Sequence, residues 1–510
     1  MGERVHKSIL NAEVNLLFYF LTLVFAFFSR KIFLDCLGAE FIGLTGTLGS
    51  ILGYLNLTEF GLAGCISYFL FKPIQTNDRE KIKEIMSLFG YLYCVIGGII
   101  LIGGIVVSLF FPFIFKDAGV GLGIVYFAFY SILGSAMIGY FINYRALLLT
   151  ADQKNYLVSI YTKSADIVKI VLQIYLAYNY KNVYVWVGIE FLFAVIGCII
   201  LNWKINKEYP WLKVNKRNGR HLLKKYPDVL VKTKQVFIHK IKDFMLVKSD
   251  ELFIFAFVSS LKMVAFYGNY MIIFSRLISL FSSVTGGVSS SVGNLVAEGN
   301  KPNMLKVFWE YTTIQHTIAA ILSFSLYSFT EPFIAHWLGP EYIIDHKILI
   351  LLIVFIYITN SRNAVDNFNH AHGLYADVWS AWTELALNIG ITVVCGLQWG
   401  IVGILLGKIV SLLTIVVLWK PYYLFTAGFK EPVGDYWRGV IRNYAISFGS
   451  FALAVLALSL LPIDPYDGIS AWIAYSATGM LIFLSLDLPA TYFFAKGSKD
   501  VVNRIKNIRK

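Results

Sequence analysis

The sequence predicts an all-α, polytopic membrane protein with about fourteen transmembrane helices. Hydrophobic residues make up 57% of the 510 residues and charged residues only 15%, whereas soluble domains carry about 25% charged residues. Apolar runs of about 20 residues recur along the chain, and each can cross a hydrocarbon core about 30 Å thick as a helix. A transmembrane barrel would instead show segments of about ten residues with alternating polarity. These runs are too long and too uniformly apolar for a barrel.

Fourteen apolar runs are predicted to span the membrane, and most are joined by short connections. Six of them precede a polar, basic segment at 204–243, and eight follow it. From the positions of the apolar runs, the predicted spans are 12–34, 41–71, 85–111, 120–149, 156–178, 183–203, 244–260, 264–295, 304–329, 346–371, 376–396, 399–419, 439–461 and 469–494.

The position of the basic segment predicts the domain organisation. Segments 144–210 and 366–424 share a layout of a polar helix end, a turn and two helices. Such a repeat fits two lobes related by an axis along the membrane normal, around a central cavity. We therefore expect a six-helix lobe, a cytoplasmic linker, a second six-helix lobe, and two added helices with a basic tail, at 1–203, 204–243, 244–425 and 426–510.

Basic residues predict the orientation of the chain. With the N-terminus inside, about 31 of the 44 Lys and Arg residues fall in cytoplasmic segments and about 6 in outer segments. This bias predicts a bacterial inner-membrane protein with both termini in the cytoplasm. It also accounts for the net charge of +13 without nucleic acid as a partner. The segment 204–243 is interpreted as a basic amphipathic helix on anionic headgroups, with a solvated linker as the alternative.

Four basic residues within predicted spans are candidates for binding an anion, because buried charges need a partner or a wet cavity. Arg276 lies near mid-membrane in a helix rich in Ser and Gly, which favours a cavity-facing position over a structural ion pair. Arg30 either binds phosphate through its guanidinium fork or snorkels to the interface. Lys163 and Lys169 flank Asp166 at spacings of three, which predicts a cavity lining or a self-neutralising helix face.

Acidic residues in or near the spans are candidates for ion coupling. Glu59, Asp250 and Glu190 could exchange protons, because a low-dielectric environment favours the neutral carboxyl. Asp250 is equally well interpreted as an ion-pair partner. The predicted coupling ion is H+ or Na+, and no other cofactor is predicted.

The chain lacks sequence motifs of enzymes and metal sites. Its five cysteines are isolated, and no P-loop, GxSxG or HExxH motif is present. We therefore predict no metal site and no catalytic residue. The GxxxG patterns at 49–53, 396–400 and 403–407 predict close contact between helices.

Several segments resemble Wzx-type polysaccharide flippases, and the resemblance lies in their order and spacing over about residues 8 to 425. The matching segments are Leu37–Leu44 (LGAEFIGL), Leu57–Leu62 (LTEFGL), Arg145 with Ala151–Lys154 (ADQK), Lys248–Glu251 (KSDE), Tyr267–Tyr270 (YGNY) and Trp337–Tyr342 (WLGPEY). Arg30 matches a basic position in the first helix of that family and of the related murein-precursor flippases. The family belongs to the multidrug/oligosaccharidyl-lipid/polysaccharide (MOP) exporter superfamily.

The resemblance implies translocation of an undecaprenyl-pyrophosphate-linked oligosaccharide to the outer leaflet by alternating access, for surface polysaccharide synthesis. The implied pyrophosphate site comprises Arg276, Arg30, Lys163, Lys169 and Arg145. The implied partners are this lipid-linked sugar, membrane lipids and the polysaccharide polymerase machinery.

Two alternatives stay open on the sequence. A small-molecule or drug antiporter of the same superfamily should offer carboxylates to cationic cargo. A membrane-embedded polysaccharide polymerase or ligase should carry a sizeable outer domain. The basic candidates favour an anionic cargo, and the short outer loops disfavour an enzyme.

Overall fold

The computed structural model describes residues 2–56, 62–229, 233, 249–285, 292–293, 295–296, 298–374 and 376–508. Within these residues every element of regular secondary structure is helical. The main helices are α1 (Gly2–Leu37), α2 (Ala39–Leu55), α3 (Leu62–Gln75), α4 (Arg79–Ser108), α5 (Leu122–Phe141), α6 (Asn155–Tyr180), α7 (Val183–Glu208), α8 (Asp250–Val258), α9 (Leu261–Thr285), α10 (Lys301–Trp337), α11 (His346–Ala371), α12 (Val378–Trp399), α13 (Ile401–Phe429), α14 (Val433–Ser459), α15 (Ile469–Phe494) and α16 (Ser498–Ile508).

The predicted all-α polytopic membrane fold is confirmed. Eleven helices among the described residues are long and apolar enough to cross a membrane. Three predicted spans are not among these eleven helices. The span 41–71 corresponds to α2 with α3, the span 156–178 to α6, which carries three charges near its centre, and the span 244–260 to α8. In the predicted span 41–71, α2 ends at Leu55 with Asn56 as its C-cap and α3 begins at Leu62, whereas residues 57–61 lie outside the described part of the chain.

The chain divides into two compact units, Met1–Ala265 and Phe266–Lys510. The first unit contains α1 to α8 and the first turn of α9, and the second contains the rest of α9 and α10 to α16. The two six-helix lobes and the central cavity stay a prediction.

In the first unit, two hydrogen-bonded contacts join α1 to α6. The Tyr156 amide donates to Asn11 Oδ1 at 2.6 Å, and Ser159 Oγ donates to Asn15 Oδ1 at 2.9 Å. The first of these bonds is partly buried and the second is exposed. Together they join the first half of α1 to the first two turns of α6.

The basic segment after α7 packs against protein in its described part. A seven-residue helix, Gly219–Lys225, lies against α4, and Gly219 meets the ring of Tyr91 so closely that a Cβ would not fit. Lys225 Nζ pairs with Glu84 at 2.7 Å. This part of 204–243 is thus not a long helix on lipid, whereas 230–232 and 234–243 lie outside the described residues.

In the second unit, glycines allow α12 and α13 to form a tight hairpin. Gly400 joins them with φ 56° and ψ −127°, a conformation that only glycine adopts easily. A Cβ at Gly403 would collide with the Cys395 carbonyl, and a Cβ at Gly407 would lie 2.8 Å from the Thr392 amide nitrogen. The predicted GxxxG contact is confirmed here, but it is wrong for Gly49, where a Cβ would meet nothing within 4 Å.

Aromatic packing builds the core of the second unit. Phe308 of α10 packs edge-to-face against Phe368 of α11 and Phe425 of α13. Further along α10, Phe324 stacks on Phe483 of α15 with ring centroids 4.5 Å apart. Helix α10 therefore forms the centre of this unit, with α11, α13, α14 and α15 around it.

Candidate functional site

Helices α6 and α7 hold a group of four charged side chains, Lys163, Asp166, Lys169 and Glu190, which we call the α6–α7 ion cluster. Lys169 Nζ lies 2.7 Å from Glu190 Oε1 and 3.4 Å from Asp166 Oδ1. Lys163 Nζ lies 3.7 Å from the other Asp166 oxygen. Gln173 donates to Glu190 Oε2 at 3.0 Å. The cluster has no formal net charge, as the self-neutralising interpretation of this helix face requires.

The two lysines of this cluster differ in their environment. The Lys169 side chain is 15% exposed and held between two carboxylates, whereas the Lys163 side chain is 49% exposed and reaches one of them. Glu190, a predicted coupling carboxylate, is already engaged by Lys169 and Gln173. Of the two lysines, Lys163 is therefore the better placed to meet an anion.

Arg30 lies on α1, half-buried near the first turn of α9. Its Nη2 donates a hydrogen bond to the Ala265 carbonyl at 3.1 Å. Phe33, one turn away on α1, packs edge-to-face against Trp186 of α7. The hydrogen bond joins the guanidinium to the start of α9, and both of the roles predicted for Arg30 stay predictions.

Arg145 belongs to a 3₁₀ turn that follows α5. Its Nη2 donates to Asn206 Oδ1 of α7 at 2.8 Å, while its Nε is buried without a hydrogen-bond partner. The same turn lines a cavity of about 400 Å³ in the first unit, together with Asn56, Tyr93, Tyr140, Asn143, Tyr144 and Thr150. Tyr93 and Tyr144 are stacked, and phenol rings beside amide and hydroxyl groups can accept a small polar ligand such as a sugar.

The segment after this turn forms a second set of ion pairs. Lys154 Nζ lies 2.8 Å from Asp152 and 2.9 Å from Glu208, and the Tyr209 hydroxyl donates to Asp152 at 2.7 Å. Burial opposes the charge of Lys154, but its hydrogen bonds to the two carboxylates outweigh burial and raise the pKa of Lys154. Burial, followed by the Asp152 hydrogen bond, raises the pKa of Tyr209. These contacts join the start of α6 to the end of α7.

Two carboxylates lie where α8 meets α2. Asp250, the first residue of α8, is buried, and Ser249 before it is buried as well. Glu251 Oε2 accepts a hydrogen bond from Ser50 Oγ of α2 at 3.0 Å. Asp250 is thus the buried member of the predicted ion-coupling set, whereas Glu59 lies outside the described residues.

Arg276 lies on α9 in the second unit and is half-buried. Tyr270 and Phe274, on the preceding turns, are fully buried, and the Tyr270 hydroxyl accepts from the Ile344 amide at 3.2 Å. The face of α9 that carries these rings packs inward. Most of the polar stretch that follows Arg276, including residues 286–291, lies outside the described residues.

A cavity of about 590 Å³ in the second unit, and the polar groups beside it, were not predicted from the sequence. The cavity lies among α10, α11 and α14, and its mostly apolar wall includes the hydroxyl groups of Ser323, Tyr327, Tyr357, Tyr444 and Ser447. Buried His316 and Asp487 lie close to this region, on α10 and α15. The signal in the sequence was an isolated acidic or imidazole side chain inside an apolar run, which marks function in membrane helices.

Comparisons of sequence with known proteins identify no relative. No family model and no curated protein matches this chain.

Comparison of structures identifies transporters. The lipid II flippase MurJ in an inward closed conformation matches with a TM-score of 0.63 and 16% identity, over 94% of this chain and 98% of that chain. An inward-facing multidrug resistance MATE family transporter of the MOP superfamily matches with a TM-score of 0.59 and 16% identity, over 83% and 98% of the two chains. The chain has the fold of these MOP superfamily transporters.

Proposed function

Starting from this transporter fold, we propose that the chain is a flippase for an undecaprenyl-pyrophosphate-linked oligosaccharide. The observation that carries the proposal is the extent of the fold match. MurJ covers 94% of this chain against 83% for the MATE transporter, and the difference is about the combined length of α14 and α15. A fold match that extends over more of the chain for the lipid flippase than for the multidrug transporter favours lipid-linked cargo over small cations.

Three guanidinium groups support an anionic cargo. Arg30 donates a hydrogen bond to a backbone carbonyl, Arg145 donates to an amide oxygen, and Arg276 lies within a membrane helix. A guanidinium can bind a pyrophosphate through two parallel hydrogen bonds while keeping such neutral contacts. Lys169 contributes less to this proposal, because two carboxylates already neutralise it.

In the proposed mechanism two lobes alternate between inward- and outward-open states. The guanidinium groups hold the pyrophosphate, and neutral polar groups such as those near Asn143 and Tyr144 hold the sugar. The polyprenyl tail stays in lipid. The chain then resides in the bacterial inner membrane with both termini in the cytoplasm, and it passes its product to the polymerase machinery.

The test is flipping of a lipid-linked oligosaccharide in proteoliposomes, measured as accessibility of the sugar in the outer leaflet. Arg276→Ala should slow flipping by about 10- to 100-fold, the equivalent of one charge-assisted contact of about 1.5–3 kcal/mol. The control is Arg438→Ala, because the Arg438 side chain is 83% exposed and should not affect flipping.

Each outcome bears on a separate part of the proposal. An Arg276→Ala protein that flips at the wild-type rate would remove Arg276 from the site. A wild-type protein that flips no lipid-linked sugar but moves cationic dyes would replace the flippase with the drug antiporter.

A further inference from the structure

A chain of hydrogen bonds crosses the second unit at the level of the 590 Å³ cavity. His316 Nδ1 of α10 lies 3.0 Å from the Tyr357 hydroxyl of α11, and that hydroxyl donates to Ser447 Oγ of α14 at 3.0 Å. The His316 ring also packs edge-to-face against Tyr444. Three helices thus contribute to one continuous polar path in an apolar region.

Asp487 of α15 lies next to this path. Asp487 is only 1% exposed, and neither of its carboxylate oxygens has a hydrogen bond of good geometry. Its polar neighbours are the hydroxyls of Ser450 and Thr491, and it lies within electrostatic reach of Tyr357. Among the residues that the structure describes, Asp487 forms no ion pair.

The charged groups on the neighbouring helices are directed elsewhere. The Arg504 guanidinium of α16 lies 2.7 Å from Glu310 of α10, and Lys306 Nζ lies 3.1 Å from Asp500. Lys496 Nζ lies over an indole ring. Among the described residues, the titratable side chain within electrostatic reach of Asp487 is that of Tyr357, and a phenol is uncharged in its common form.

A buried carboxylate without a cation is very costly in an apolar region, so a proton or a metal cation must neutralise it. The described oxygens near Asp487 are two hydroxyls, whereas Na+ and other hard cations need several oxygen ligands. A proton needs only the carboxylate and a path. The cavity supplies an entry for water, because Tyr357 and Ser447 belong both to its wall and to the hydrogen-bonded chain.

We propose that Asp487, together with the His316–Tyr357–Ser447 chain, is a proton-binding site in the second unit that couples a proton gradient to transport. This role rests on the proposed function, although proton binding itself does not. A hydronium ion that enters the cavity transfers one proton to the carboxylate, which forms an O–H bond and changes its charge from −1 to 0, while the hydronium becomes water. Release reverses the step: the O–H bond breaks and a water molecule becomes hydronium.

The site gives a role to α14 and α15, the two helices that follow the second predicted lobe. Ser447 and Ser450 belong to α14, and Asp487 and Thr491 belong to α15. Without these two helices the His316–Tyr357 pair would keep its hydrogen bond but would have no carboxylate to receive the proton.

The first experiment measures proton binding without any cargo. Infrared difference spectra of the purified full chain between acidic and alkaline pH should show the carbonyl band of a buried protonated carboxyl. Asp487→Asn should remove this band, because an amide is close in shape to the neutral acid but cannot titrate. The matched control is Asp467→Asn in the exposed loop before α15, which should leave the band in place.

The second experiment measures coupling in proteoliposomes that contain the lipid-linked oligosaccharide and a pH-sensitive dye. In the wild type an imposed pH gradient should accelerate flipping and should dissipate faster while flipping proceeds. Asp487→Asn should flip at equal rates with and without the gradient. Tyr357→Phe keeps the ring but removes the hydroxyl link, so it should retain the infrared band and slow the gradient-driven rate.

These measurements separate the site from the proposed function. If the wild type flips no lipid-linked sugar, the infrared band alone decides whether Asp487 binds a proton. A band that persists in Asp487→Asn, or a gradient response equal to that of the wild type, overturns the proposal. Dependence on a Na+ gradient that Asp487→Asn abolishes would overturn the proton as the bound ion.

Discussion

Removing Lys169 should destabilise the protein measurably, because Lys169 is the cation at the centre of the α6–α7 ion cluster. Lys169→Met keeps the length of the side chain, but Asp166 is then paired only with the more distant Lys163, and Glu190 keeps only its hydrogen bond from Gln173. The formal charge of the cluster falls from zero to −1. The variant therefore retains two carboxylates that have lost their shared hydrogen-bond donor.

The exposure of the three side chains sets the size of the effect. Breaking a fully buried pair by removing one partner costs about 3–5 kcal/mol, whereas an exposed pair contributes about 0–1 kcal/mol. Lys169 is 15% exposed, and Glu190 and Asp166 are 37% and 40% exposed. The carboxylates can recover part of their hydration, so we expect a loss of about 1–3 kcal/mol.

A double-mutant cycle isolates the contact between Lys169 and Glu190. Glu190→Gln alone should destabilise, and Lys169→Met with Glu190→Gln should cost less than the sum of the two, by about 1–2 kcal/mol. The free energy of unfolding is measured by denaturant titration in mixed micelles, followed by tryptophan fluorescence. Lys163→Met serves as the control and should change the free energy by less than about 0.5 kcal/mol.

Two results would refute this reasoning. One is a Lys169→Met protein as stable as Lys163→Met, and the other is a coupling free energy of zero in the cycle. Either result would mean that Lys169 is not neutralised by its neighbours. Lys169 would then return to the set of cations available to a pyrophosphate.

Two further predictions concern packing and pH. Gly403→Ala should lower the free energy of unfolding by about 1–3 kcal/mol, because its Cβ would collide with backbone. The control is Gly390→Ala on the same hairpin, whose Cβ would meet nothing within 4 Å, so this variant should be neutral or stabilising in the same assay. Equal stability of the two variants would contradict the contact at Gly403. Burial lowers the pKa of Lys154, but hydrogen bonds to two carboxylates outweigh burial and raise it. The contribution of charged Lys154 to the stability of the folded protein is therefore complete below the ordinary lysine pKa of 10.5. This contribution is lost as the pH rises through the higher pKa of the folded state. The unfolding free energies of wild type and Lys154→Met should therefore differ at neutral pH and converge in alkali, and a constant difference would refute the assignment.

The candidate sites were predictable where the interaction is local in sequence. Lys163, Asp166 and Lys169 are spaced three residues apart, so consecutive members lie one helical turn from each other on the same face of α6. A self-neutralising helix face was therefore one of the two arrangements that the sequence predicted. Glu190, which the sequence predicts as a coupling carboxylate, completes this face from α7. Its pairing with Lys169 could not be predicted, because 21 residues separate the two and only helix packing brings them together.

The amino-acid sequence by itself determined that the chain is helical and crosses a membrane many times. Backbone groups in hydrocarbon must bond within their own segment, and runs of about 20 apolar residues leave the helix as the only solution. Only the tertiary structure decided which polar groups meet. His316, Tyr357 and Ser447 lie 41 and 90 residues apart along the chain, yet they form one hydrogen-bonded path beside Asp487. The reason is physical: helical periodicity specifies which face a side chain occupies, whereas its partner across the interface depends on the packing of helices distant in sequence.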